Sequence, residues 1–505
     1  MTTDLKAFLN DLYIGEFGLV PTNNSIKPVH VANGLGRALT GRAYDSDALA
    51  EFLRPSILNQ KTREKVERNP NSAILERYGE AIDGRDGEVI DRDSLSTLRN
   101  LAEGVLGTDK AVFGEAARSS YTLSNETLLT RDPSDHRCGI FLARLLTAGH
   151  EADAAIHIRA LLSTDDDPWS MLAMPMTKLA KPQGVDTATE AAMQHAYAPM
   201  LVADASTPTV PTLASPTLTN LRRSFDRLAR FERTSGSKLN SLRRLVTFAC
   251  FAVHVHLISR YSEAVEGAPR SPILLDMFDG SRTSLRNASR ASFRAAGDTI
   301  EALMLLRIRE RLQPQVSALG AEQVIAGLPT KVQNRVRQGF DAYRHDDQVS
   351  ELEAIAEAFW QVAAEEKNHP RGFLADLGRR AGYLTPWSVA GRGGKQQKRY
   401  GINAEFLETL VAATVDPERP LDFPEFLDEI RMNYGIVVGQ RSDDQIVRCN
   451  NLAQKPFGTP TSVSEEELRL NVEALRRAML EAGYAKAFAD GQTVITTDPK
   501  SLALL

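Results

Sequence analysis

SEEELRLNVEALRRAMLEAGYAKAFADGQTVI, residues Ser464–Ile495, carries the densest local signals in this chain. Ser464 and Glu467 have the spacing of a capping box, in which each side chain takes up a backbone N–H left free at the start of a helix. The helix that follows runs to about Ala482, with Leu468, Val472, Leu475 and Met479 as its apolar stripe and Gly483 as its stop. Tyr484–Phe488 and Thr493–Thr496 then read as strands around Asp490-Gly491, a dipeptide suited to the left-handed turn of a hairpin.

Working outward, Asn403 can cap a helix carrying Phe406, Leu407, Leu410 and Val411. Asp422 can cap a second, with Phe426, Leu427, Ile430 and Tyr434 facing inward and Gly435 as the stop, and Ile436-Val437-Val438 is a short strand. Helix, helix, capped helix and hairpin in that order predict a winged-helix-like domain over 401–505, in a chain that is otherwise mainly α. Such domains contact nucleic acid or dock proteins. Arg469, Arg476 and Arg477 lie outside the apolar stripe and are candidates to meet phosphates or base edges. Glu473, four residues after Arg469 and three before Arg476, offers them an alternative partner on the same helix.

The lead-in Lys398-Arg399-Tyr400, the LETLV helix at 407–411, the NYGIVVG phrase at 433–439 and the GYAKAFADGQTVI hairpin at 483–495 resemble the ends of accessory proteins encoded in bacterial antiphage defence islands. In methylation-associated or phosphorothioate-linked islands such proteins accompany DNA-modification genes, ATPases and alkaline-phosphatase-like partners. The resemblance covers roughly the last hundred residues. It implies DNA, and a defence-system ATPase or methyltransferase, as partners, and it carries no catalytic residue.

A chain of 505 residues exceeds one ordinary core. A mainly helical segment with loops is expected over 1–203, and DASTPTVPTLASP at 204–216 reads as a linker or an extended surface segment. A helical array at 217–389 comes next, with helices at Leu218–Glu232, Lys238–Tyr261, Ser281–Arg311, Ala321–Tyr343 and Gln348–Lys367. AGRGGKQQKRY at 390–400 reads as a flexible basic connector carrying Arg392, Lys395, Lys398 and Arg399. Between Asn220 and Arg311 there are 17 Lys/Arg against 9 Asp/Glu, whereas the rest of the chain holds 43 against 56, so a basic centre lies between acidic flanks.

Within that centre Arg282, Arg286, Arg290 and Arg294 recur every fourth residue, which on a helix places them in a slanted ridge able to follow a phosphate backbone. Ser284, Ser289 and Ser292 between them could add small donors. Arg222, Arg223, Arg227, Arg230 and Arg233 form a second row. Pairing of either row with acids elsewhere in the chain is the competing reading.

Signals for chemistry are weak. His150 and His157 lie about 10 Å apart along a helix, and His254 and His256 point to different sides, so neither pair suits one metal ion. Asn33-Gly34-Leu35-Gly36 lacks the spacing of a nucleotide loop and reads as a turn. The acids of Asp83–Asp93 and Asp165–Asp167 read as solvated loops, although a nuclease site assembled from distant acids, including Asp83, Asp86 and Asp91, stays open, as does a protein-only scaffold. Cys138, Cys250 and Cys449 are too few and scattered for a disulfide framework. No catalytic residue, metal or cofactor is assigned. No apolar run of spanning length or targeting segment is read, and the expected location is the cytoplasm.

Overall fold

A computed structural model describes residues 5–21, 26–44, 75–76, 91–97, 129, 135–162, 182–184, 201–204, 207–234, 236–345, 349–365, 370–385, 397–439 and 463–498. In the first part of the chain lie α1 (Leu5–Phe17), α2 (Pro28–Thr40), β1 (Arg42–Tyr44), α3 (Cys138–Thr147), α4 (Asp153–Leu162) and β2 (Pro182–Gly184). Next come β3 (Leu201–Asp204), β4 (Thr207–Leu213), α5 (Pro216–Glu232), α6 (Lys238–Ala264), β5 (Ile273–Leu274), α7 (Thr283–Leu319), α8 (Ala321–Ala326), α9 (Thr330–Arg344), α10 (Glu351–Glu365) and α11 (Pro370–Ala381). The last group is β6 (Leu384–Thr385), β7 (Arg399–Tyr400), α12 (Ala404–Thr414), β8 (Leu421–Asp422), α13 (Phe423–Tyr434), β9 (Ile436–Val437), α14 (Glu465–Glu481), β10 (Ala485–Ala487) and β11 (Thr493–Ile495). Helix dominates, as the alanine- and leucine-rich periodicity predicts.

Helix α6 is apolar on every face from Leu245 to Ile258, and such a helix has to be enclosed. It meets the length and composition of a membrane span, contrary to the sequence expectation, but 89% of its most apolar window is buried by surrounding protein. Phe251 at its middle makes edge contacts with Phe406, Tyr383 and Tyr434 at ring-centroid distances of 5.0, 5.3 and 5.5 Å. Helices α5, α7, α11 and α12 all pack around it, so one apolar cluster runs from Leu5 in α1 to Ile495 in β11.

Two expected breaks carry structure instead. In 204–216, β4 pairs antiparallel with β3, and Ser215 caps α5 by accepting from the Leu218 amide at 3.2 Å. In 390–400, β7 pairs antiparallel with β6, and Tyr400 is buried among Phe293 and His254. The supposed turn at Asn33–Gly36 lies inside α2. A Cβ at Gly34 would stand 2.0 Å from the Asp135 carboxylate, and one at Gly139 2.0 Å from the Gly34 backbone, so these glycines let α2 and α3 touch.

The C-terminal elements follow the predicted caps closely. Asn403 accepts from the Phe406 amide at 2.8 Å, Asp422 forms a capping box with Glu425, and Gly435 closes α13 with φ 77°. Strand β11 lies between β10 and β8, antiparallel to both. Strand β9 pairs in parallel with β5 of the central region, and Arg270 donates to the Met432 and Asn433 carbonyls at 3.0 and 3.1 Å beside the end of α13.

Candidate nucleic-acid interface

The α5 row is structural except at Arg223, which is exposed. Arg222, 7% exposed, donates to the Ala148 and His150 carbonyls that close the turn after α3. Arg227 donates to the Thr414 carbonyl at 2.8 Å and approaches Glu429 at 3.5 Å. Arg230 pairs with Asp416 at 2.7 Å and Arg233 with Asp153 at 3.3 Å. On α6, Arg243 pairs with Glu405, and Arg244 reaches Glu408 at 3.0 Å while bracing Glu232. These contacts fasten α12 and α13 to the array.

The α7 row is different. Arg282 precedes the helix and lies over the Phe278 ring at 5.3 Å; Arg286 donates to the Gly280 carbonyl at 3.1 Å; Arg290 reaches the Gln397 amide oxygen at 3.5 Å; Arg294 is exposed. Among the described residues, none of the four forms an ion pair with a carboxylate. Partial burial lowers the Arg290 pKa below the usual arginine range, helped by the positive charges of Arg286, Arg399 and Arg294. Asp276 acts on it in the opposite sense, and Asp298 and Glu467 lie within electrostatic reach of Arg294 and Arg282, so the ridge has carboxylates near it without a direct ion pair to one among the described residues.

The serines between these arginines serve the fold. Ser284 donates to Glu467 on α14. Ser289 donates to the Tyr400 carbonyl at 3.1 Å and accepts from the Tyr400 amide at 2.9 Å. Ser292 donates to the Pro272 carbonyl at 2.6 Å and accepts from the Leu274 amide at 3.1 Å. They face inward and pin β5, β7 and α14 to α7, which leaves the arginines on the outer side.

Of the connector, Arg392 and Lys395 lie outside the described residues. Lys398 and Arg399 are only 1% and 6% exposed. Arg399 donates to Asp276 at 2.9 Å and to Asp279 at 2.7 Å, so its charge is matched internally. Desolvation, together with nearby Arg379, pulls the Lys398 ammonium down to about 8. The flexible basic tether read from sequence is buried at Lys398 and Arg399, where β7 begins.

On α14, Arg469 pairs with Glu466 at 2.8 Å rather than with Glu473, and Arg476 pairs with Glu473 at 2.7 Å and reaches the Thr493 hydroxyl at 3.2 Å. Each pair draws the acid's pKa down and the arginine's up. Arg477 is exposed and forms no ion pair among the described residues. Asn471, not Val472, completes the buried stripe. Its amide donates to the Leu275 and Val438 carbonyls at 2.8 Å and accepts from the Met277 amide at 2.9 Å. Its position, three residues after Leu468 and four before Leu475, was the available signal.

The described chemistry candidates are structural too. His254 hydrogen-bonds the Tyr400 hydroxyl at 2.9 Å, and His256 the Phe17 carbonyl at 3.1 Å while stacking on Phe141. Burial holds both imidazoles at about 3. Asp91 accepts from the Ser94 amide at 2.7 Å, as a helix cap does, and this contact lowers its pKa. Asp83, Asp86, Asp165–Asp167 and Cys449 lie outside the described residues. Among those described, no three His, Cys, Asp or Glu side chains gather to hold a metal. Cys138 and Cys250 are buried thiols whose pKa is raised by desolvation. Neither a protein-family model nor a curated protein sequence matches this chain.

Proposed function

We propose that this chain is a non-catalytic accessory protein that binds DNA, or docks onto a DNA-bound complex, of the kind found in bacterial antiphage defence systems, with a defence-system ATPase or methyltransferase as its protein partner in the cytoplasm. The observation that carries the DNA reading is the α7 ridge, four arginines in a row that form no ion pair with a carboxylate among the described residues, with inward serines behind them. We read residues 401–505 as a winged-helix-like module. The order α12, β8, α13, α14, β10, β11 and the placement of β11 between β8 and β10 support it. In this reading the module positions the protein, because two of its three candidate arginines are paired along their own helix.

Fluorescence anisotropy with labelled DNA across a salt series tests the proposal. Affinity should fall steeply with salt as condensed counterions are released. Reversal of two ridge charges, Arg286→Glu with Arg290→Glu, should weaken binding by about tenfold or more at low salt while the fold is retained. Absence of binding at low salt, or binding indifferent to salt, counts against it.

A further inference from the structure

We infer that the α7 ridge follows a single nucleic-acid strand, one phosphate to each arginine, in preference to a duplex. This rests on the DNA-binding reading above and specifies its ligand. From Arg286 to Arg290 to Arg294 the ridge advances about 6 Å and turns about 40° at each step. Arg282, just before the helix, extends it by one turn.

A duplex strand advances about 3.4 Å per nucleotide and closes a turn in about 10 base pairs. Over the roughly 12 Å from Arg286 to Arg294 it therefore winds through about a third of a turn. The major groove of a duplex admits a protruding helix, but β5, β7 and α14 are fastened against the start of α7, so the arginine side meets a stiff duplex from outside the groove. Contact is then short, and about two phosphates come within reach of guanidinium groups.

A single strand has free backbone torsions and can stretch and twist to the step of the ridge. The start of the ridge also carries an aromatic ring, Phe278, half-buried against the cluster of Leu274, Leu285 and Leu468, with Arg282 over its outer face, where a stacked base would take the guanidinium's place. Single-strand binders combine a basic track with aromatic side chains because an unpaired base can leave its neighbours and stack. A paired base cannot do so without breaking the duplex. The fold holds Phe278 in place: its amide donates to Asp276 at 3.0 Å and its carbonyl accepts from the Ser281 amide at 3.1 Å. Next to it Asp279 adopts φ 49°, a left-handed conformation uncommon outside glycine, which turns the loop back towards Arg282.

The test compares a fluorescein-labelled 20-nucleotide oligothymidine with the same strand annealed to its complement, titrated with the full chain from low to physiological salt. The expected slope of log affinity against log salt is about −3 for the single strand, from four phosphates at about 0.7 each, and about −2 for the duplex, from two at about 0.9 each. The single strand should bind at least about tenfold more tightly at physiological salt. Phe278→Ala should lower single-strand affinity about fivefold or more and leave duplex affinity unchanged. Phe278→Leu preserves apolar packing in that loop and should show the same selective loss, which separates stacking from misfolding. Equal affinities, or tighter duplex binding, overturn this inference and leave the DNA reading standing; binding to neither overturns both.

Discussion

Two rows of arginines with nearly the same spacing, one on α5 and one on α7, have opposite surroundings. Arg222, Arg227, Arg230 and Arg233 each find a carbonyl or carboxylate on another element. Arg282, Arg286, Arg290 and Arg294 form no ion pair with a carboxylate among the described residues, and the cations beside Arg290 act on one another. An i, i+4 pattern states only that charges share a side of a helix. What packs against that side decides whether they are mortar or surface, and the partners of the α5 arginines come from the turn and helix after α3 on one side of the sequence and from almost two hundred residues downstream on the other.

The contrast can be broken most sharply at Arg222. Replacing it with alanine strands the buried Ala148 carbonyl and the part-buried His150 carbonyl, and we expect a loss of about 2–3 kcal/mol in urea unfolding. A loss below about 0.5 kcal/mol would place Arg222 with the surface residues. The connector supplies the next test, because Lys398 is held below its unfolded pKa. The unfolded chain binds more protons between about pH 8 and pH 10.5, so stability should rise through that window, on the order of 1–2 kcal/mol. Lys398→Met should flatten that rise in unfolding curves taken at pH 7.5 and 9.5, and an unchanged rise would remove Lys398 as its source.

Smaller effects sharpen the distinction. Arg230→Ala breaks a half-exposed pair with Asp416 and should cost less than about 1 kcal/mol. Arg294→Ala should leave the unfolding midpoint within about 0.5 kcal/mol of the parent, since it removes an exposed cation that forms no ion pair among the described residues. A larger loss at Arg294 would show that the ridge, too, is structural.

Sequence made the capped ends legible because their causes are local. Ser464 with Glu467, Asp422 with Glu425, Gly435 and the Asp490-Gly491 turn each act within five residues, and the structure places them as their chemistry demands. Signals that depend on distant partners were misread. Gly34 and Gly36 look like turn residues until the close approach of Asp135 to the first and of Leu129 and Leu162 to the second, about a hundred residues on, requires their missing side chains. Lys398 looked like a tether residue until β7 paired with β6. Ser284, Ser289 and Ser292 suit a phosphate by composition, but their hydroxyls meet β5, β7 and α14. At the candidate interface the spacing of the ridge was readable; the lack of ion pairs to its arginines among the described residues was not.

The most direct test measures DNA affinity at 50 mM salt for two charge-reversed proteins side by side, one with Arg286→Glu and Arg290→Glu on α7, the other with Arg469→Glu and Arg476→Glu on α14. The proposed binding mode puts the affinity on α7, so the first pair should lose about tenfold or more and the second less than about threefold. Equal losses, or a larger loss from the α14 pair, would contradict the assignment of DNA contact to the α7 ridge.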